Sequence, residues 1–347
     1  MIDTVIVTLV QIAVLLVGLL AAVAYLVLLE RKVQAWVQVR LGPMRVGYHG
    51  ILQPVADILK LVIKEDITPA RADKWIYTLS PIIVLVPALI VFAVIPFGTS
   101  VTLLGVTIPL YISDLNVGLL YITAVASLGV YGLILGGWSS NSKYPLLASL
   151  RASAQLISYE VAVTMTLVSM ILMAGTLSMV GIVEAQRAFQ LPFSGRTGLW
   201  FIFAQPVAFF IYFVGGLAET NRAPFDLPEA EQELVGGFHT EYSGMRFALF
   251  FLAEYANMIV ISAVATTLFL GGWLRPFPNV AWLGLLDWVP GWAWFIVKTF
   301  AFLWVFLWVR ATLPRYRYDQ LMRLGWKFLI PLSIANVMVT AALKVLL

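Results

Sequence analysis

The first long apolar stretch of the chain, residues 4–29, reads TVIVTLVQIAVLLVGLLAAVAYLVLL and is followed directly by Glu30, Arg31 and Lys32. An α-helix needs about 20 mainly apolar residues to cross the hydrocarbon core of a bilayer. The stretch exceeds that length, and we predict that it forms a membrane span. It has no basic region before it and is longer than the apolar core of a signal peptide, so we expect it to be retained.

Further stretches of the same character follow along the whole chain. Hydrophobic residues make up 61% of the 347 residues and charged residues only 12%, a composition that excludes a soluble globular domain. The sequence therefore predicts an all-α integral membrane protein, a single polytopic membrane domain of residues 1–347 with eight transmembrane helices. The predicted spans are residues 4–29, 76–96, 115–136, 155–176, 199–218, 247–271, 291–310 and 327–346.

The basic residues predict how the chain is oriented. Of 22 lysines and arginines, seventeen fall in the odd-numbered loops, four fall in the loops on the other side, and Lys298 lies inside the seventh span. Because inner loops carry an excess of Lys and Arg, the odd-numbered loops are predicted to be cytoplasmic, or on the matrix side in a mitochondrion. We interpret Lys298 as a side chain that reaches the outer interface from near the end of its span.

Two smaller elements are predicted in the loops. Residues 51–64 of the first inner loop place apolar side chains on one helical face and polar ones on the other. This segment is too short to cross a bilayer, and we predict an amphipathic helix that lies in the interface. On the outer side, residues 101–112 favour a small β-hairpin around Gly105.

The inner loop of residues 219–246 is unusually acidic. Six of the eighteen carboxylates of the chain lie within residues 219–242. Carboxylates close to lipid lose the solvation of their charged form, and they then bind and release protons readily, which favours a role in proton handling. Within this loop Asp226, Pro228 and Glu229 have the pattern of a helix N-terminus, with Asp226 as N-cap and Glu229 at the capping-box position. A solvated first turn, favoured by the helix dipole, explains the same acids without any function.

Ionisable residues inside predicted spans add candidates. Glu254 lies two turns into the sixth span, where a charged group is a functional candidate by default. Glu160 lies about one turn into the fourth span, where water from the interface can also hydrate it. The chain has no cysteine and only two histidines, which excludes the usual ligand sets of an iron–sulfur cluster or a bis-histidine haem. Any electrons must then be carried by another subunit. His239 is interpreted as a polar loop residue and not as a metal ligand.

Basic residues cluster at two inner positions, around Arg31 and Arg40 and around Arg310, Arg315 and Arg317. Such clusters bind anionic lipid headgroups in many membrane proteins. The pattern by itself does not distinguish this role from binding of a substrate or a partner.

Four segments resemble the H-subunit family of NADH-quinone oxidoreductase, the bacterial counterpart of mitochondrial NADH dehydrogenase subunit 1 in respiratory complex I. They cover most of the chain in order. They are ERKVQAWVQVRLGPMRVG (30–47), GILQPVADILKLVIKE (50–65), LRASAQLISYE (150–160) and ETNRAPFDLPEAEQELVGGFHTEY (219–242).

The resemblance implies a membrane component of the proton-translocating NADH:ubiquinone reductase in a bacterial inner membrane or the mitochondrial inner membrane. Such a component is expected to form the quinone-access tunnel and a carboxylate relay that couples quinone reduction to proton translocation. Such a component binds no cofactor itself; FMN and iron–sulfur clusters are expected in partner subunits, and ubiquinone is the substrate. The expected partners are the hydrophilic quinone-site subunits and the antiporter-like membrane subunits, with no nucleic acid. The implied quinone-binding residues are Arg31, Arg40, Arg222, Phe225 and Phe238. The implied proton-relay residues are Glu160, Glu219, Glu229, Glu231, Glu233, Glu241 and Glu254.

Two alternatives stay open at the level of sequence. A homologous membrane anchor of a hydrogenase or formate-linked complex would transduce energy without a quinone site. A stand-alone ion-coupled transporter is disfavoured, because the sequence has no internal repeat and no pair of broken helices.

Overall fold

The structure is a computed structural model and describes residues 2–103, 106–189, 198–226, 236–277 and 281–346. Long helices dominate it, as the apolar stretches predict. The helices are α1 (Ile2–Val37), α2 (Gln53–Ile63), α3 (Lys74–Ile90), α4 (Gly118–Ser139), α5 (Lys143–Ala174), α6 (Met179–Ala188), α7 (Phe201–Ala204), α8 (Pro206–Glu219), α9 (Gly244–Phe269), α10 (Gly291–Thr312), α11 (Tyr318–Leu324) and α12 (Ile330–Leu346). A π-helical turn, Gly325–Leu329, joins α11 to α12 in one continuous helix.

Seven helices of the described ranges are long and apolar enough to cross a membrane. The protein is therefore an all-α, multi-pass membrane protein. The prediction of eight full-length spans is not confirmed, because the predicted span 199–218 is divided into α7 and α8. The 14 residues of α8 rise only about 21 Å, less than the thickness of the hydrocarbon core. The division occurs at Gln205, directly before Pro206, whose missing N–H cannot continue a helix.

Both smaller elements are present. The predicted amphipathic helix forms as α2, which starts with Pro54 in its first turn. The side chains of Leu52, Val55 and Val62 leave about half of their surface exposed, so an apolar face of this segment points away from the rest of the chain. The predicted hairpin consists of β1 (Ser100–Leu103) and β2 (Val106–Pro109), paired antiparallel. Gly105 itself lies outside the described residues.

The loops that begin and end these helices meet at one end of the bundle. The Asp73 N–H donates to the Ser139 carbonyl (3.1 Å), and the Ile67 N–H donates to the Ser243 hydroxyl (2.9 Å). Asp66 also pairs with Arg246 at 3.0 Å. The first, third and fifth loops therefore share one end, in agreement with their predicted common side of the membrane.

This arrangement predicts the result of labelling from each side. Cysteine replacements Lys74→Cys and Lys143→Cys should react with a membrane-impermeant maleimide from the inner side only. Ser100→Cys, beyond the far end of α3, should react from the outer side only. All three side chains are exposed, and the chain has no native cysteine. Labelling of the 74 and 143 positions from opposite sides in oriented vesicles would contradict the topology.

Close packing places the short helix α8 between α5 and α9. A Cβ atom on Gly215 would lie 2.3 Å from the Val163 side chain of α5, and one on Gly216 would lie 2.5 Å from Ile261 of α9. Only glycine permits both approaches, since neither distance leaves room for a methyl group. The helix end at Glu219 is thereby fixed between two spans.

Lys298 has a different environment from the one predicted. Its side chain is only 6% exposed and does not extend to the interface. The ammonium group donates to the carbonyl oxygens of Leu270 (2.6 Å), Gly272 (3.0 Å) and Leu274, and lies 4.5 Å from the centre of the Trp200 ring. The interpretation as an interfacial side chain is wrong, because backbone carbonyls past the end of α9 solvate this charge inside the protein.

Candidate functional site

Arg222 lies in the segment that follows α8 and is almost completely buried, with 3% of its surface exposed. The preceding residue, Asn221, has a φ of +50°. This left-handed conformation after a helix end is one that asparagine tolerates, and it turns the chain back into the bundle. The Arg222 guanidinium consequently lies 3.5 Å from Glu254 Oε2 and 3.6 Å from Glu30 Oε1.

Aromatic rings and a second arginine complete this group. The Arg222 guanidinium lies 4.3 Å from the centre of the Tyr255 ring, within the range of a cation–π contact. The Tyr255 hydroxyl donates a hydrogen bond to the Glu30 carboxylate (2.7 Å), and Arg310 donates to the same carboxylate. We call Glu30, Arg222, Glu254 and Arg310 the arginine–carboxylate cluster. Its two cations and two carboxylates balance when both acids are ionised, which is how buried charges are tolerated.

A cavity of about 120 Å³ lies beside this cluster, between α4, α5, α8 and α9. Glu254 contributes to both the cluster and the cavity wall. Glu160 and Glu219 also line the cavity, together with the amides of Asn221 and Asn257. The volume is sufficient for several water molecules, and the carboxylates and amides are the polar partners that such water would find on a wall that is otherwise mainly apolar.

Glu160 accepts a hydrogen bond from the neighbouring helix α4. The hydroxyl of Ser127, on α4, donates to the Glu160 carboxylate. The structure therefore brings three of the predicted proton-relay residues to one cavity, although they are far apart in the sequence.

Of the other predicted relay residues, only Glu241 lies in the described part of the chain, and it does not line this cavity. Glu241 is half-buried, and its backbone carbonyl accepts a hydrogen bond from the Tyr77 hydroxyl (2.7 Å). Glu229, Glu231 and Glu233 lie outside the described residues, as does the helix start predicted after Asp226. Asp226 itself is buried and pairs with Arg315 at 2.8 Å.

The predicted quinone-side residues divide into two exposed and three buried positions. Arg31 pairs with Asp57 of α2 at 2.6 Å, and its side chain is 47% exposed. Arg40 is exposed and donates to Gln38. Phe225 is 3% exposed and Phe238 is fully buried, so both rings pack inside this chain, as Arg222 does.

Aromatic neighbours account for the burial of the two phenylalanines. The Phe225 ring packs on those of Tyr159 and Tyr316, each with a centroid separation of 5.7 Å. Phe238 packs against Phe250 and against His239 at 5.0 Å. Burial lowers the pKa of His239 to about 4, so this histidine is neutral at pH 7.

Sequence reasoning missed Glu30 and Arg310 as site residues. Glu30 directly follows an apolar stretch and resembles the start of a loop, yet α1 continues to Val37 and the carboxylate is only 5% exposed. Arg310 belongs by sequence to a basic cluster of the kind that binds lipid headgroups, but it pairs with Glu30. One sequence signal could have suggested the pair: Glu30 stands at the end of one apolar stretch and Arg310 at the end of another.

Metal ligation is not supported within the described ranges. No group of three or more His, Cys, Asp or Glu side chains there is arranged to hold a metal ion.

Known proteins show strong similarity to the whole chain. A family model described as NADH dehydrogenase matches residues 10–341. The first of two NADH-quinone oxidoreductase H subunits of Geobacter sulfurreducens is 52% identical over 341 residues, covering 95% of this chain and 92% of the relative. The H subunit of Syntrophotalea carbinolica (98% of this chain, 96% of the relative) and the second H subunit of Koribacter versatilis (96% of each) are 49% and 51% identical. With the helix arrangement and the buried charges described above, these similarities show that the chain belongs to the H-subunit family of NADH-quinone oxidoreductase.

Proposed function

We propose that the chain forms the membrane side of a quinone-binding chamber and connects quinone reduction to proton translocation through its buried carboxylates. As a member of its family it is a multi-pass inner-membrane component of NADH-quinone oxidoreductase. It works together with other subunits of that complex, among which we place the hydrophilic quinone-site subunits and antiporter-like membrane subunits. The redox centres, FMN and iron–sulfur clusters, are assigned to these partners.

One observation carries the proposal. Arg222 contacts both Glu254, on the wall of the cavity, and Glu30, at the inner part of α1. Next to Glu30 in the sequence, Arg31 pairs with Asp57 of the amphipathic helix α2. A series of charged groups thus connects the exposed apolar face near α2 with the cavity that contains Glu160 and Glu219.

The physical basis of coupling is electrostatic. Reduction of a quinone consumes two protons, and a transient change of charge near α2 alters the potential at the arginine–carboxylate cluster. Two unit charges about 4 Å apart interact by about 4 kcal/mol at an effective dielectric constant of 20. This distance is about the separation of the charged groups within the cluster, so a change of charge on one member alters the protonation equilibrium of its neighbours, because one pKa unit corresponds to about 1.4 kcal/mol. Water in the cavity would then pass protons between Glu254, Glu219 and Glu160.

The names of the relatives support the quinone-linked function over a hydrogenase or formate-linked anchor. Each of those reported above is described as part of an NADH-quinone oxidoreductase. No contact in the described part of the chain favours the alternative.

Glutamine replacements test the carboxylate relay. Glu160→Gln, Glu219→Gln and Glu254→Gln keep the shape of the side chain but cannot ionise. We expect quinone reduction and proton translocation in vesicles to fall at least about tenfold, with Glu254→Gln the most affected. Assembly should persist, as judged on native gels.

Glu184→Gln is the matched control, since this exposed acid at the outer end pairs with Arg187 of its own helix, away from the cavity. It should retain full activity. Full quinone reduction and full pumping in all three cavity variants would remove the relay from the proposed function.

Arg31→Met tests the quinone side. Because Arg31 is half-exposed beside α2, its loss should raise the apparent KM for quinone several-fold, in line with about 1 kcal/mol of lost interaction. Electron transfer from NADH to a hydrophilic artificial acceptor should not change. Arg71→Met, an exposed arginine in the same loop, serves as control and should alter neither activity. A parallel loss of both activities in Arg31→Met would assign this residue to assembly.

A further inference from the structure

Gln155 of α5 is fully buried, and its side chain joins two separate backbone positions. Its amide nitrogen donates to the carbonyl oxygens of Ala218 (2.8 Å) and Phe225 (2.9 Å). Both hydrogens of the amide are used. Because both partners are carbonyls, which only accept, the orientation of this amide is fixed by its surroundings.

The two carbonyls enclose the functional part of the segment. Ala218 directly precedes Glu219 in the last turn of α8, and Phe225 lies three residues after Arg222. One side chain therefore holds both ends of the short loop that carries Glu219 and Arg222. Without these bonds both carbonyls would lose a donor. The Ala218 carbonyl would keep the bond from the Asn221 N–H (3.3 Å), and a buried carbonyl that is left without any donor costs about 1–3 kcal/mol.

The part of α5 that contains Gln155 also contributes a carboxylate to the wall of the cavity. Glu160 follows Gln155 by five residues and lines the cavity. Between them, the Tyr159 ring packs on Phe225, and its hydroxyl donates to the Leu321 carbonyl (2.9 Å). Gln155 and Tyr159 thus fix the position of the 218–225 segment relative to the helix that carries Glu160.

We infer that Gln155 is a positioning residue for the carboxylate relay, and that it sets the placement of Glu219 and Arg222 relative to Glu160. The inference rests on the proposed function. Gln155 neither ionises nor carries a proton in this role. It acts through the geometry of the loop, so its loss separates quinone reduction from pumping.

A second buried glutamine provides a comparison. Gln186 of α6 is 1% exposed, donates to the Thr267 carbonyl (2.8 Å) and accepts from the Phe201 N–H (3.2 Å). It also joins three elements, but it does so away from the cavity. Variants of Gln186 therefore report the effect of losing a buried amide without disturbing the relay.

The experiment uses the whole complex in vesicles and compares Gln155→Met, Gln155→Glu, Gln186→Met and Gln186→Glu. Quinone reduction, its KM and the number of protons moved per NADH are measured at pH 6 and pH 8. Assembly is followed on native gels. Each value is compared with that of the unmodified complex at the same pH, because all variants share the titratable groups of α5 and of the 218–226 segment. These groups are Lys143, Tyr144, Arg151, Tyr159, Glu160, Glu219, Arg222 and Asp226.

Gln155→Met is expected to lower the protons moved per NADH at least about threefold with little change in the KM for quinone. Gln155→Glu should show the same loss at pH 8 and partial recovery at pH 6, since only the protonated acid donates to a carbonyl. The two Gln186 variants should keep the normal ratio at both pH values.

Three results would overturn the inference. The first is a normal proton ratio in both Gln155 variants. The second is a loss in Gln155→Glu that does not depend on pH. The third is failure of Gln155→Glu to assemble while Gln186→Glu assembles, which would assign the amide to folding. The proposed function is judged separately, by its own variants: normal quinone reduction and pumping in the glutamine variants of Glu160, Glu219 and Glu254 would remove the carboxylate relay, whatever the result for Gln155.

Discussion

Replacement of Arg222 by methionine is expected to abolish coupled quinone reduction, while NADH oxidation by a hydrophilic artificial acceptor continues. The guanidinium is 3% exposed and lies within 3.6 Å of both Glu254 and Glu30. Removal of one partner of a buried charge pair costs about 3–5 kcal/mol, because the remaining charge is left without compensation. Glu254 and Glu30 would both lose the cation that they share, and the series of charged groups between α2 and the cavity would be interrupted. Quinone reduction and proton translocation are measured in vesicles that contain the assembled complex.

A conservative variant and a control variant accompany this prediction. Arg222→Lys keeps the positive charge but loses the planar group that faces Tyr255 and both acids, and it should retain partial activity. Arg187→Met removes an arginine that is 60% exposed and should have no effect, since exposed pairs contribute about 0–1 kcal/mol. Normal coupling in Arg222→Met would show that the cluster has no part in the mechanism.

The second large effect is expected on assembly. Glu30→Gln replaces the acid that accepts from Arg310 and Tyr255 and faces Arg222. A neutral amide leaves the two guanidinium groups close together, with Glu254 as the one remaining carboxylate of the cluster. We expect a loss of stability of about 3–5 kcal/mol, measured as a lower temperature at which the complex dissociates.

A double replacement distinguishes a specific pair from general damage. In Glu30→Gln combined with Arg222→Met, two opposite charges are removed together. The loss of stability should therefore be smaller than the sum of the two single losses, by at least about 0.5 kcal/mol. Strict additivity of the three variants would mean that Glu30 and Arg222 do not interact in the assembled complex.

The helices could be predicted from the sequence because hydrophobicity and length largely determine a membrane span. The amphipathic helix and the hairpin followed from periodicity in the same way. The exception is the stretch 199–218, whose composition is that of a span. The average hydrophobicity of the stretch does not show the effect of Pro206, which lacks an N–H. The chain is divided at this residue into α7 and α8.

The candidate site could be predicted only in part. Acids inside or next to spans are conspicuous in the sequence, which is why Glu160, Glu219 and Glu254 could be predicted; the structure places them on one cavity. Their partners could not be found in this way, because Glu30 and Arg310 are 280 positions apart and only the tertiary fold joins them. The roles of the quinone-side residues stay predictions, as do the relay roles of all seven glutamates: Glu160, Glu219, Glu229, Glu231, Glu233, Glu241 and Glu254.

The contacts of Lys298 have a consequence for motion in this protein. Its ammonium group binds carbonyls just beyond the outer end of α9 and fastens that end to α10, whereas Glu254 lies in the half of α9 nearer the inner loops. A contact of this kind opposes movement of the outer end of α9. The inner end is held as well, by the pairing of Arg246 with Asp66 and by the hydrogen bond from the Ile67 N–H to Ser243. A change of charge at Glu254 would therefore act on a helix that is fixed at both ends, and it would change side-chain and proton positions without tilting the whole helix.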